Sequence, residues 1–171
     1  LPVKSFAMYI VGSPGSGKTN ILISLLTSKK PKYYFKFFDH IELISASMAT
    51  LPSKFKSKLH DSQKHDKFSD EMIMKIVGKM KDGDNDNNLL VLDDVIRQIT
   101  RSRVLSQIYL NRRHITHSED KDENGGLSIM TVSQKYSLLP LEFRNAQSDF
   151  ILFKSSNSME VNKIKDELLH D

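Results

Sequence analysis

Gly12-Ser13-Pro14-Gly15-Ser16-Gly17-Lys18-Thr19 fits the pattern G-x-x-x-x-G-K-[ST] at every fixed position. A strand-like apolar run, Phe6-Ala7-Met8-Tyr9-Ile10-Val11, leads into this stretch, and a helix-capable run, Asn20 to Leu26, leads out of it. Glycines let the backbone curl so that successive N–H groups point inward, at the oxygens of a polyphosphate. A helix that begins there adds the partial positive charge of its N-terminus. Lys18 then reaches the β- and γ-phosphates, and the Thr19 hydroxyl takes a place on Mg²⁺. The expected nucleotide-binding set is Gly12, Ser13, Pro14, Gly15, Ser16, Gly17, Lys18, Thr19 and Asn20, with a nucleoside triphosphate as ligand.

Strand-like and helix-like segments alternate beyond that motif, which predicts a mainly parallel sheet covered on both faces. The first helix is expected to run to about Lys29 and to end before Pro31. The aromatic run Tyr33 to Phe38 reads as a second strand, and residues from Glu42 to about Leu51 fit no single element. Ser69 opens a helix to about Lys81 with Ile73, Ile76 and Val77 on one face. Leu89-Leu90-Val91-Leu92 is the continuous apolar run of a strand buried on both sides. A helix from about Ile96 to Arg113, a strand over Leu127–Val132, a strand over Phe150–Phe153 and a helix from about Ser158 to Leu169 complete the order. His117 to Gly126, with Glu119, Asp120, Asp122 and Glu123, reads as a mobile acidic insertion. The turn-rich stretch Asp82 to Asn88 has the wrong spacing for a calcium loop, since its glycine comes too early and no glutamate closes it.

The chain has 171 residues, enough for one domain with one sizeable core. It opens at Leu1 rather than Met, which suggests a piece of a longer protein or a processed one. It has no cysteine, so disulfides and thiolate zinc sites are excluded. No apolar run approaches the roughly 20 residues that span a bilayer, and the default expectation is an intracellular protein without a transmembrane segment. Charge is uneven: residues 1–81 hold 14 Lys against 6 acidic residues, and residues 82–171 hold 11 Lys plus Arg against 15 acidic residues. A basic half is either a footprint for nucleic acid or a solvated lysine surface. Lys54, Lys56, Lys58, Lys64 and Lys67 make residues 52–67 its most basic stretch.

Four apolar residues ending in Asp93-Asp94 describe a strand that carries a carboxylate to the C-terminal edge of the sheet, where ligands bind in parallel sheets. Asp93 is placed to hold Mg²⁺ together with Thr19. Asp94 is placed to orient or deprotonate the attacking water. Gln134, after the strand Leu127–Val132, can reach the γ-phosphate or that water; otherwise it is an ordinary turn residue. Arg97, Arg101, Arg103, Arg112 and Arg113 share one helical segment without an acid, so their charge must face solvent, nucleic acid or a neighbouring subunit. Arg144, after Pro140, is a further candidate for an arginine inserted at the γ-phosphate. His40, His60, His65 and His170 are scattered in polar sequence and read as surface or structural residues.

In series, the phosphate loop, Leu-Val-Leu-Asp93-Asp94, Asn111-Arg112-Arg113-His114, the strand ending at Gln134, Leu139-Pro140, Arg144-Asn145 and Asp149-Phe150-Ile151-Leu152-Phe153 resemble the genome-packaging ATPases of poxviruses and other nucleocytoplasmic large DNA viruses, within the FtsK–HerA superfamily. The resemblance implies an α/β P-loop NTPase fold of the RecA-like kind: a three-layer sandwich with the Gln-bearing strand between the Walker A and Walker B strands. It implies ATP and Mg²⁺ as cofactors and double-stranded DNA as partner. It also implies a ring of five or six subunits, with an arginine of one subunit completing the site of the next. Lys18, Asp94 and Gln134 match the family's catalytic positions, Thr19 and Asp93 its metal ligands, and Arg113 and Arg144 are the candidate trans-acting arginines. Viral capsid or membrane proteins as further partners, and a host-cytoplasmic virus factory or the virion as location, follow from the same resemblance.

Two other activities share the phosphate loop. A nucleotide or small-molecule kinase would need an organic acceptor, to which the adjacent acids and Gln134 are poorly suited. A nucleotide-gated assembly switch would bind ATP with little hydrolysis.

Overall fold

The computed structural model describes residues 1–83, 87–116 and 126–169. The expected acidic insertion at 117–126 therefore lies, except for Gly126, outside the described residues, as do residues 84–86 of the turn-rich loop. In chain order the elements are β1 (Ala7–Val11), α1 (Lys18–Thr27), β2 (His40–Ser45), α2 (Ser53–Lys56), β3 (Lys64–His65), α3 (Asp70–Asp82) and β4 (Asn87–Asp93). They continue with α4 (Ile96–Ile99), α5 (Arg103–Asn111), β5 (Gly126–Ser133), α6 (Leu141–Asn145), β6 (Asp149–Leu152) and α7 (Ser158–Leu168).

The strands form one parallel sheet in the order β3-β2-β4-β5-β1-β6. Parallel pairing sends every strand's C-terminus to the same edge, so the phosphate loop after β1, Asp93 at the end of β4 and Gln134 just past β5 share that edge. Side chains alternate between two cores. Tyr9, Leu90, Leu92, Leu127 and Ile129 pack with α3, α5 and α6 on one face. Met8, Ile10, Leu89, Val91 and Met130 pack with α1 and α2 on the other. Burial on both faces explains why β1 and the Leu89–Leu92 stretch of β4 read as continuous apolar runs.

Two expectations are corrected. The aromatic run Tyr33–Phe38 is not a strand; the second strand is His40–Ser45, which begins before the ambiguous stretch from Glu42 and ends within it. A strand would throw alternate residues to opposite faces, whereas Tyr34 and Phe38 are buried and Phe37 partly buried in one cluster with Phe6. Lys36, at φ 56, takes the left-handed conformation that interrupts an extended chain. The continuous helix from Ile96 to Arg113 is instead two helices. Ser102 lies extended between them, and its hydroxyl accepts from the Leu105 N–H at 2.9 Å, capping α5 afresh.

Candidate nucleotide-binding site

β1 delivers the chain to Gly12, whose N–H donates to the Ser133 carbonyl at 3.2 Å and so ties the loop to the end of β5. A Cβ at Gly12 would lie 2.5 Å from Ser16 Oγ and 2.7 Å from Phe153 Cβ, so only glycine lets the loop close against β6. Gly17, at φ 98, turns the loop into α1. That helix has no side-chain cap and no acidic residue in its first turn, so its first N–H groups are left to an external acceptor. The Ser16 hydroxyl is buried in the same loop with no hydrogen-bond partner among the described residues. Lys18 Nζ donates to the Ser13 carbonyl at 2.8 Å and so arches over the loop. Burial lowers its pKa, with Asp93 and Asp94 pulling the other way.

Asp93 is 3% exposed, and its Oδ2 accepts from Ser45 Oγ at 2.8 Å and Ser47 Oγ at 3.2 Å. Ser45 is its register partner across β2 and β4. Burial pushes the Asp93 carboxyl above its ordinary value against those two hydroxyls; Asp94 adds to the rise and Lys18 opposes it. The next residue differs. Asp94 is exposed and left-handed at φ 56, a conformation aspartate tolerates better than most residues, and this turns its carboxylate out of the strand line. Gln134 Nε2 donates to Asp94 Oδ1 at 3.4 Å.

Lys18, Thr19, Ser47, Asp93, Asp94 and Gln134 line one cavity of about 100 Å³. The side chains there that could ligate a metal, Thr19, Ser47, Asp93 and Asp94, all offer oxygen, which suits a hard cation. Among the described residues no group of three or more His, Asp or Glu side chains gathers, so a cation held by Thr19 and Asp93 would take its remaining ligands from phosphate and water. A second cavity of about 250 Å³ lies on the other side of the phosphate loop, bordered by Pro14, Leu152, Phe153, Asn157 and Ile164. Its largely apolar walls suit the flat face of a base.

The structure separates the two candidate arginines from this cavity. Arg113 is exposed in the turn after α5, next to Arg112, whose carbonyl accepts from Leu127 N–H at the start of β5. Gln134 follows the other end of that strand, and eight residues at about 3.3 Å each put the two edges roughly 25 Å apart. Arg113 therefore cannot complete its own subunit's site. Arg144 is 6% exposed and held inside: its Nε and Nη2 donate to Glu167 at 2.8 Å each, Nη1 donates to the Leu139 carbonyl, and its guanidinium lies 5.1 Å from the Tyr136 ring centroid. This commitment weighs against Arg144 as an inserted arginine.

Sequence reasoning missed Ser45 and Ser47, the small hydroxyl residues at and just past the end of β2. It also missed the Glu42 cluster. His40 Nε2 lies 2.9 Å from Glu42 Oε1 and His65 Nε2 2.7 Å from Glu42 Oε2, with Glu42 1% exposed. No local pattern announces that grouping, because β3 brings His65 to β2 from more than twenty residues away.

The chain is similar in fold to B204, the DNA-packaging ATPase from Sulfolobus Turreted Icosahedral Virus, at 13% identity and a TM-score of 0.69 over 98% of this chain and 84% of that one. It is also similar to the cytoplasmic domain of EssC, at 19% identity and a TM-score of 0.59, over 95% of this chain and 34% of that one. A RuvB variant from Thermotoga maritima matches at 12% identity and a TM-score of 0.50, over 95% of this chain and 42% of that one. At such identities these likenesses establish the fold alone, that of a P-loop ATPase. No curated protein sequence matches the chain. The family model described as Poxvirus A32 protein matches residues 1–168, nearly the whole length, and the chain belongs to the poxvirus A32 protein family.

Proposed function

We propose that this chain is an ATP-hydrolysing motor that moves double-stranded DNA into a viral capsid. The observation that carries the reading is the convergence of Lys18, Thr19, Asp93, Asp94 and Gln134 on one cavity at the C-terminal edge of the sheet. Membership of the poxvirus A32 family and the fold shared with a viral DNA-packaging ATPase supply the DNA and the direction of the work.

In this reading the N–H groups of the loop and Lys18 hold the β- and γ-phosphates. Thr19 and Asp93 would hold Mg²⁺, which would supply neutralisation of the charge that builds on the leaving diphosphate. The two acids divide the work by environment. Asp93 is buried and occupied by two serine hydroxyls, which fits a fixed ligand. Asp94 is exposed and touched by Gln134, which fits a group that accepts a proton from water. Water attacks the γ-phosphorus in line, the bond from that phosphorus to the β–γ bridging oxygen breaks, and ADP and phosphate leave. Gln134 orients the water. Arg113 of a neighbouring subunit completes the site across the interface of a five- or six-membered ring, which works in the virus factory or virion alongside capsid or membrane proteins. Among the described residues no helix is long and apolar enough to cross a membrane.

The test is ATP turnover over a range of protein concentration, with and without double-stranded DNA. Turnover per subunit should rise with concentration and rise again with DNA. Turnover that ignores both, or that requires an organic phosphate acceptor, would overturn the reading.

A further inference from the structure

One ring, Phe35, gathers three ammonium groups from three parts of the chain. Lys29 Nζ lies 5.6 Å from its centroid, Lys36 Nζ 5.9 Å and Lys58 Nζ 5.9 Å. Lys29 follows α1, Lys36 sits in the aromatic turn and Lys58 follows α2, so tertiary structure alone assembles the cluster. Any two of the three charges are less than about 12 Å apart. All three lysines are exposed, Lys30 and Lys32 stand exposed beside them, and among the described residues no carboxylate pairs with Lys29, Lys36 or Lys58. Like charges held this close repel one another, and a polyanion relieves that repulsion.

The cluster is built on a firm base. Tyr34, the neighbour of Phe35, is buried, stacks on Phe6 at 5.5 Å and donates its hydroxyl hydrogen to the Pro2 carbonyl at 2.7 Å. Two other lysines of the basic stretch 52–67, Lys56 and Lys64, are engaged internally. Lys56 donates to the Met48 and Ala49 carbonyls, and Lys64 pairs with Asp61 at 2.7 Å and also donates to the Lys56 carbonyl. Location separates the cluster from the nucleotide: α1 runs ten residues, about 15 Å, away from the phosphate loop before Lys29 is reached. The aromatic turn then meets the start of β4, where Asp39 N–H donates to the Asn87 carbonyl.

We infer that this Phe35-centred lysine cluster binds the phosphate backbone of duplex DNA, at the edge of the sheet opposite the nucleotide site. A duplex carries one charge per about 1.7 Å of axis, roughly seven within the 12 Å span, and so matches several cations that no local carboxylate neutralises. The inference rests on the motor reading.

The experiment measures binding of the full chain to a short random-sequence duplex as salt is raised, together with DNA-stimulated ATP turnover. The wild type, the set Lys29→Gln with Lys36→Gln and Lys58→Gln, and the set Arg97→Gln with Arg101→Gln and Arg103→Gln are compared. The lysine set should flatten the slope of log affinity against log salt by about 2 to 3 and weaken binding about tenfold or more. It should lower DNA stimulation while leaving basal turnover and the thermal midpoint unchanged. An unchanged slope in the lysine set, a change carried by the arginine set instead, or a loss seen only on anionic phosphatidylserine vesicles would overturn the inference while leaving the motor in place. A wild type that neither binds DNA nor responds to it would end both.

Discussion

Gln134 Nε2 donates to Asp94 Oδ1 at 3.4 Å, joining the ends of β5 and β4 through the two exposed polar side chains beside the buried Asp93. Two neighbouring strands are thereby read at once by any group that sits between them. The pairing depends on strand order, since β5 lies between β1 and β4.

Asp94→Asn should fold normally, because asparagine also tolerates the left-handed conformation at φ 56. Nucleotide binding should survive while turnover falls about 10²- to 10⁴-fold, the usual cost of losing a positioned base. Equilibrium binding of a fluorescent nucleotide alongside steady-state turnover checks this. Gln134→Ala should lower turnover less, with binding again intact.

Asp93 holds its proton to higher pH than an ordinary aspartate with a value near 3.8, mainly through burial. Mg²⁺-dependent nucleotide binding should therefore weaken at a higher pH than an exposed carboxylate would dictate, and Ser45→Ala should move that loss higher still. For stability the sign is opposite to that of a salt-bridged acid. The folded value is raised, so Asp93's contribution is full below the unfolded value and declines as pH rises through the folded one. Nucleotide titrations and thermal melts across acid pH read the two effects separately.

Arg144→Ala should destabilise the fold by about 3 kcal/mol, because it removes the cation from the partly buried Glu167 carboxylate, leaving it the Tyr136 hydroxyl alone, and takes away the link from α6 to α7. Lysine should rescue little, since it cannot make the two-pronged contact. Arg113→Ala, at an exposed position, should leave the unfolding free energy within about 0.5 kcal/mol of wild type and abolish the rise of turnover with protein concentration. The reverse pattern, a stable Arg144→Ala and a concentration-dependent Arg113→Ala, would exchange the two roles.

Glu42 is buried, which alone would raise its pKa, but the His40 and His65 hydrogen bonds outweigh that and hold it below its ordinary 4.5. Its contribution to stability is present above the unfolded value and is lost as pH falls through the lowered folded value. Glu42→Gln should cost about 1 to 3 kcal/mol near neutrality and remove part of the acid sensitivity of unfolding. Chemical denaturation at a series of pH values measures both.

Local chemistry determined the parts of this protein that depend on neighbours in the chain. The glycine spacing ending in Lys18-Thr19 allows few other loops, and an apolar run ending in Asp93-Asp94 can hardly be anything but a buried strand that stops at a carboxylate. The α/β class and most element positions follow from the same short-range patterns, and the strand order expected from the family resemblance is the one observed. Where short-range patterning was followed too far, it misread Tyr33–Phe38, since an aromatic run packs equally well as a pleated strand or as a turn folded onto one face. Tertiary structure alone decided that Ser45 and Ser47 hold Asp93, that Glu42 collects two histidines, that Arg144 belongs to Glu167, and that Lys29, Lys36 and Lys58 meet at Phe35. Each of these groupings depends on which strands lie side by side or which loops fold back, and a side chain's partner across a sheet leaves no mark on the residues beside it in the chain.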